Sequence, residues 1–449
     1  MIVTTNQISK LSKLYVWSIC LEPLLFFIII DSFLFGTTAN VSKILQLLVL
    51  VIVFFKMLIL HVVKIPSPLN NTNKWFFYFF IFIILSGLFG LLSGAYKNEM
   101  YDATSTHALR IILRPLSEYV ILLYYFVYFA IMPKYILSNS SSIGYFFKVF
   151  TSLFFIVLFV GFGDLLIMKI ISGYEGLPRH LSDGRSVGWR FHGLAGEPRD
   201  AFAYLILGLS IFILRDMLSD RKKLTKYLMI LISIALILTQ SASGLIGIVF
   251  FTLLMFLFLF LKLTNIQKVK CLIIFFMVLF IIVITALFTD RIMEYYYESF
   301  TLIPNLNETG QIGQAADLLS QALASDIYPI WQRWIEISGG NFFPTFFGTG
   351  LGSASVINNN LLNIFEILNP KSYVVRSIYE TGIIGTYLFV YIFLNPIKKI
   401  NLVRHEYIKL AMLMLLMLGM YFAHRSVLPF LFLGIVLAVF NSKLSRKNQ

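Results

Sequence analysis

Long apolar runs separated by short polar breaks dominate the chain, and within the runs hydrophobic residues follow one another without a two-residue alternation. Twelve runs lie near 14–35, 42–63, 75–96, 110–132, 144–171, 197–214, 225–241, 243–262, 270–288, 372–395, 406–422 and 426–441. Each approaches the ~20 residues a helix needs to cross a hydrocarbon core of about 30 Å. Barrel strands would instead alternate over about ten residues. The pattern predicts an all-α polytopic membrane protein of about 12 transmembrane helices. The arms of the hairpins 225–262 and 406–441 are short, which places their turns below the membrane surface. The runs divide the chain into a membrane bundle over 1–288 with about nine spans, a long outer loop over 289–371, and a second bundle over 372–449 with about three spans and a short tail.

Composition removes the soluble alternatives. Of 449 residues, 58% are hydrophobic and 13% charged, against about 25% charged in a soluble chain. A water-soluble fold of this size would have to expose a greasy surface. The two cysteines, Cys20 and Cys271, fall inside apolar runs and read as small core residues, neither a disulfide nor a metal site. Lys10 and Lys13 precede an apolar run with no small-residue cleavage signal, so the first run reads as a retained span.

The net charge of +14 reads as topology and not as nucleic-acid binding. With the N-terminus inside, the inner loops carry Lys64, Lys74, Lys134, Lys148, Arg215, Arg221, Lys222, Lys223, Lys226, Lys262, Lys268, Lys270, Lys398, Lys399, Arg404 and Lys409, and the tail Lys443, Arg446 and Lys447. The outer side is poor in lysine but keeps arginine: Arg110, Arg114, Arg179, Arg185, Arg190, Arg199, Arg291, Arg333, Arg376 and Arg425. Arginine grips phosphate bidentately and does not lose its charge. Lysine inside looks topological, and arginine outside looks functional.

The densest polar stretch runs from Arg185 through Arg190, His192, Gly196, Glu197, Pro198 and Arg199 to Asp200, where an outer loop meets the sixth run. Pro198 suits a first helical turn, and Glu197 and Asp200 suit the positive end of a helix dipole. A capped helix with snorkelling arginines accounts for part of this; an anionic-ligand site accounts for the convergence. Arg110, Arg114 and Glu118 share a helical face at the start of the fourth run. Arg114 is either the ion-pair partner of Glu118 or a phosphate ligand facing the bundle. Gly348-Thr-Gly350-Leu-Gly352 has no strand before it, so it reads as a tight turn leading back to the membrane and not as a dinucleotide loop. Arg376 and Glu380 open the tenth run, and His424 and Arg425 stand at an immersed hairpin tip, where they are a candidate acceptor site. Glu22, in the inner half of the first run, and Asp164, in the outer half of the fifth, are either proton-relay or hydrogen-bonded structural acids.

At these residues the sequence resembles the O-antigen polymerase and ligase family of bacterial inner-membrane glycosyltransferases. The resemblance rests on Arg185 with Gly196 further on, Gly196-Glu197-Pro198, the Leu238–Gly244 hairpin, the loop ending in Phe347-Gly-Thr-Gly-Leu-Gly352, and Glu380-Thr-Gly-Ile-Ile-Gly385. Together these cover roughly 180–390; the N-terminal third is similar in hydropathy only. The resemblance implies a GT-C-like fold, no metal or other cofactor, and a substrate carried on undecaprenyl pyrophosphate at the periplasmic face of the inner membrane. It further implies donor binding by Arg185 and Arg333, and a chain-length regulator as a possible partner. Family ligases carry a histidine in the long loop regarded as the catalytic base. Residues 289–371 contain no histidine, which favours a polymerase over a ligase acting on lipid A-core.

The expected reaction moves a growing glycan from its lipid pyrophosphate to a sugar hydroxyl of another lipid-linked repeat unit. Pyrophosphate is a good leaving group, so the requirement is stabilisation of its developing charge. The first outer loop, Gly36–Lys43, holds no acid pair for a metal, which leaves that task to Arg185, Arg190, Arg199, Arg333, Arg376 and Arg114. Charge-assisted hydrogen bonds contribute ~1.5–3 kcal/mol each. Glu197, Asp200 and His192 are the candidate bases for the acceptor hydroxyl, with Glu197 favoured. A lipid-oligosaccharide flippase is the rival class; it should show broken helices or charges near the midplane.

Overall fold

The computed structural model describes residues 8–24, 28–31, 38–60, 70–92, 107–177, 188–217, 222–270, 342–353, 373–400, 402–420 and 426–447, with fragments at 272–273 and 276. The architecture is helical, with one two-stranded antiparallel hairpin, β1 (Ile28–Asp31) and β2 (Thr38–Asn40). The helices are α1 (Lys10–Cys20), α2 (Val41–Leu60), α3 (Asn70–Leu92), α4 (His107–Tyr125), α5 (Met132–Ile136), α6 (Ser140–Ile170), α7 (Pro198–Asp216), α8 (Lys222–Leu238), α9 (Ala242–Phe258), α10 (Phe342–Phe347), α11 (Tyr373–Lys399), α12 (Arg404–Gly419) and α13 (Leu428–Lys447). Among the described residues, 4 segments are long and apolar enough to cross a membrane: Lys74–Leu92, Leu116–Ile136, Ser140–Ile170 and Arg376–Lys399. Tyr227–Leu238 and Leu428–Phe440 are shorter apolar helices. Lipid-facing surface is correspondingly greasy, with Phe159, Leu92 and Leu257 all exposed. The protein is a helical membrane protein. Most of the run at 270–288 and most of the loop 289–371 lie outside the described residues.

The first predicted span, 14–35, is corrected. α1 ends at Cys20, and at 11 residues it rises only about 16 Å, half the hydrocarbon core. Pro23 is the physical reason: the residue before a proline is pushed out of helical geometry. The chain turns there and re-emerges as the β-hairpin. Glu22, expected in the inner half of a span, sits buried in that turn. It accepts from Ser42 Oγ (2.6 Å), Gln46 Nε2 (2.6 Å) and Lys43 Nζ. It therefore ties α1 to the start of α2, the hydrogen-bonded structural reading of this acid.

A second irregularity lies inside a span. Phe126–Ile131 is a π-helical turn between α4 and α5. Proline clashes with the carbonyl four residues earlier, and Pro133 stands four residues after Phe129. Widening the preceding turn relieves that clash, as π-bulges do. The displaced carbonyls are then used. Tyr15 of α1 donates its hydroxyl to the Tyr128 carbonyl (2.6 Å). α13 presses Gly434 so close that a Cβ there would lie 2.0 Å from the Phe129 carbonyl oxygen.

Candidate functional site

Two constellations at helix ends gather the polar residues singled out in the sequence. The first is the segment 188–200. Its path is fixed by α6: Phe191 covers Gly161, where a Cβ would meet the ring at 2.4 Å, and Gly193, at φ 52, approaches the Val157 carbonyl. Arg190 turns inward from the loop. Its Nε donates to the Thr239 carbonyl (3.1 Å) and its Nη2 to the Gln240 carbonyl (3.0 Å), while the Phe191 N–H donates to the Leu238 carbonyl (2.9 Å). These are the orphan carbonyls at the C-terminus of α8. Arg190, expected as a pyrophosphate ligand, thus latches the loop to the α8–α9 hairpin. Gln240 at φ 47 makes the tip, and Ser241 caps α9 by accepting from the Gly244 N–H (3.1 Å).

His192 is buried on the α6 side of the loop, with Nε2 3.8 Å from Asp164 Oδ2. Asp164 also accepts from the Tyr174 hydroxyl (2.8 Å) and the Leu177 N–H (2.9 Å). Burial and the adjacent Asp164 carboxylate push the half-buried Tyr174 hydroxyl up to about 12, so it remains a donor. Burial pulls the His192 imidazole below its ordinary 6.5 and outweighs the Asp164 carboxylate, which acts in the opposite direction; Arg190 adds to the lowering. Neutral His192 is therefore the form the fold prefers. The linkage has a definite sign. A histidine with a depressed folded value favours the native state above pH 6.5, and that contribution is lost as pH falls below 6.5 towards the folded value. Thermal midpoints measured from pH 7.5 to 5 should fall in the wild-type protein and fall less steeply in His192→Gln. Equal slopes would exclude His192 as the source.

Glu197, Arg199 and Asp200 form the exposed rim of this constellation. Glu197 occupies the N-cap position of α7, but its side chain makes no capping bond; its Oε2 instead meets Arg199 Nε at 3.1 Å. Arg199 Nε is 3.8 Å from Asp200 Oδ1. The side chains of Arg199 and Asp200 are about one-third exposed (32% and 31%), and Glu197 is less so. A partly exposed carboxylate at the start of a helix is within reach of an incoming hydroxyl and can accept its proton. Among the three candidate bases, His192 is sequestered, while Glu197 and Asp200 open outward.

The second constellation joins α10, the glycine loop and α11. α11 is broken at Gly382 (φ 66, ψ −174), a geometry essentially reserved for glycine. The break frees the Tyr379 and Glu380 carbonyls, and the glycine loop satisfies them. Thr349 N–H and Oγ1 both donate to the Tyr379 carbonyl (3.0 Å each), and the Gly350 N–H donates to the Glu380 carbonyl (2.8 Å). Ser86 of α3 adds a hydroxyl to the Glu380 carbonyl (2.7 Å). Gly348, Gly350 and Gly352 all have positive φ. The turn predicted at Gly348–Gly352 is therefore a plug that completes the backbone of a broken helix, the condition under which irregular backbone is tolerated at membrane depth. Arg376, six residues before the break, is 1% exposed. Its Nε meets Glu380 Oε1 at 2.8 Å, and its Nη2 lies 3.6 Å from Glu118 Oε1 on α4. Expected as a phosphate ligand, Arg376 is placed between two carboxylates. Glu118, for which the sequence offered Arg114 as one possible partner, lies beside Arg376. Arg114 lies in α4, while Arg185, Arg333, His424 and Arg425 lie outside the described residues.

Comparison with protein-family models, with curated proteins and with solved structures finds no match to this chain.

Proposed function

We propose that the protein is a polysaccharide polymerase of the O-antigen type, transferring a glycan from undecaprenyl pyrophosphate to a lipid-linked repeat unit, with outer-face arginines and no metal stabilising the leaving group. One observation carries the reading. The motifs on which the resemblance rests lie far apart in sequence, yet the fold pairs them. Arg190 and Phe191, which lie between Arg185 and Gly196, are bonded to the Leu238–Gly244 hairpin, and the Gly348–Gly352 loop is bonded to the Tyr379 and Glu380 carbonyls at the start of the Glu380–Gly385 segment. Motifs that dock on one another form two composite surfaces, which unrelated turns have no reason to do. Glu197, with Asp200 beside it, activates the acceptor hydroxyl; Arg199, with Arg185 and Arg333 from the sequence argument, holds the pyrophosphate.

The test is the length of surface glycan. Glu197→Gln, Arg185→Ala and Arg333→Ala proteins, inserted at normal level, should leave cells with a single repeat unit on the surface lipid, since export is intact and only chain growth has failed. Wild-type chain lengths in all three would remove the site assignment. The rival is a lipid-oligosaccharide transporter, and one observation favours it: α11 is a broken helix with buried charge beside the break, a feature of transporter binding sites. Absence of any surface repeat in these variants would give the rival the assignment.

A further inference from the structure

A groove of about 560 Å³ runs along the membrane-facing side between α9 and α11 and is closed at one end by α12. Its walls are apolar: Leu253 and Leu257 on α9, Ile383 and Val390 on α11. Leu253, Leu257 and Ile383 are 51%, 70% and 47% exposed, so the groove opens sideways into the hydrocarbon. One end is different. There Lys262 and Lys398 are exposed on either side of the opening, and Tyr407 and Asn395 complete the wall. Arg404 donates to the Lys262 carbonyl (2.9 Å), and Lys262 Nζ rests 5.6 Å from the centre of the Tyr407 ring, which fixes one ammonium at the rim. Neither lysine has a carboxylate partner among the described residues.

Asn395 supplies an independent indication of a ligand. It is 5% exposed and lines the groove, yet its Nδ2 has no hydrogen-bond partner among the described residues, while its Oδ1 receives only a long contact from Tyr391 (3.4 Å). Leaving a buried amide donor without an acceptor is destabilising, so an acceptor arriving in the groove would be favoured. Asn395 stands three residues before Lys398, about 4.5 Å deeper along the helix. That is the vertical order of a phospholipid, whose ester carbonyls lie just below its phosphate.

We propose that this groove binds one anionic phospholipid of the leaflet at the lysine end, with its phosphate between Lys262 and Lys398, an ester carbonyl accepting from Asn395 Nδ2, and one acyl chain lying along Leu257 and Val390. The lysine end belongs to the side that the basic loops assign to the cytoplasm. The site is independent of the polymerase reading, which concerns the opposite helix ends. A basic rim selects an anionic headgroup over a zwitterionic one; at about fivefold per lysine, two lysines give a preference of about twenty-five-fold.

Native mass spectrometry of the purified full-length protein, titrated with phosphatidylglycerol, phosphatidylcholine and a polyprenyl phosphate, tests the assignment. Wild-type protein should bind phosphatidylglycerol about twenty-five-fold more tightly than phosphatidylcholine, and Lys262→Gln/Lys398→Gln should bind the two alike. Both lysines are exposed, so that variant keeps its fold. Asn395→Leu should weaken both lipids without changing the preference. Equal binding of the two phospholipids by wild-type protein, or an unchanged preference in the double variant, would overturn the site. Displacement of phosphatidylglycerol by equimolar polyprenyl phosphate would overturn the choice of occupant.

Discussion

Replacing Gly348 or Gly382 by alanine should unfold the outer half of α11, whereas the same substitution at Gly144 should be harmless or stabilising. At Gly348, with φ 78, a Cβ would stand 2.4 Å from the Glu380 carbonyl carbon and oxygen and from the Thr381 nitrogen. At Gly382 it would stand 2.3 Å from the Phe346 carbonyl oxygen. These obstacles are backbone, which has no rotamer to yield. Left-handed geometry costs an L-residue roughly 1–2 kcal/mol, and overpacking adds typically 1–3 kcal/mol. Each variant should lose about 2–5 kcal/mol, together with the hydrogen bonds to the Tyr379 and Glu380 carbonyls. Gly144 lies within α6 and a Cβ there meets nothing within 4 Å, so alanine should gain up to about 1 kcal/mol of helix propensity. Thermal unfolding in detergent reads all three. A Gly382→Ala protein as stable as Gly144→Ala would mean that α11 is not broken where the structure places the break.

The sequence revealed helices wherever an apolar run was long and uninterrupted, because burial in lipid demands continuous hydrophobicity irrespective of what the helix packs on. α3, α6 and α13 follow their predicted runs closely. It misled where one residue overrides a run. Pro23 ends α1 within a stretch that hydropathy alone reads as a span, and Pro133 widens the turn before it without interrupting the apolar pattern. The break at Gly382 is invisible for a related reason: glycine is neither polar enough to end a run nor apolar enough to mark one. Its signal was relational. Gly348 lies against the Glu380–Thr381 backbone and Gly382 against the Phe346–Gly348 backbone, so each of these two glycines needs the other's segment beside it.

The candidate site was legible in composition and not in contacts. Residue types and spacing gathered Arg190, His192, Glu197, Arg199 and Asp200, and these do share one segment. Only the fold shows that Arg190 spends two donors on the Thr239 and Gln240 carbonyls of the α8–α9 turn and that His192 faces Asp164, 28 positions upstream on another helix. A sequence shows that an arginine is available; it does not show what already occupies its guanidinium.

Arg376→Met should be among the most damaging single substitutions, and its effect should be reversible by removing charge elsewhere. Arg376 stands between Glu380 and Glu118 with all three side chains at 1–5% exposure. Without the guanidinium, two buried carboxylates lose the cation that both of them contact. Removing one partner of a buried pair typically costs 3–5 kcal/mol because the remaining charge is left uncompensated, whereas replacing every charged member by neutral groups of similar size is often neutral or stabilising. Arg376→Met/Glu118→Gln/Glu380→Gln should therefore recover most of the stability lost in Arg376→Met. Arg376→Lys should fall between, since an ammonium keeps the charge but has no fork to reach Nε- and Nη2-type partners together. The triple variant also separates structure from function. Restored folding with restored chain growth would make the triad a packing device between α4 and α11. Restored folding without chain growth would give the buried charges a part in the reaction or in a transport step. An Arg376→Met protein that unfolds at the wild-type temperature would show that Arg376 is not held between these acids.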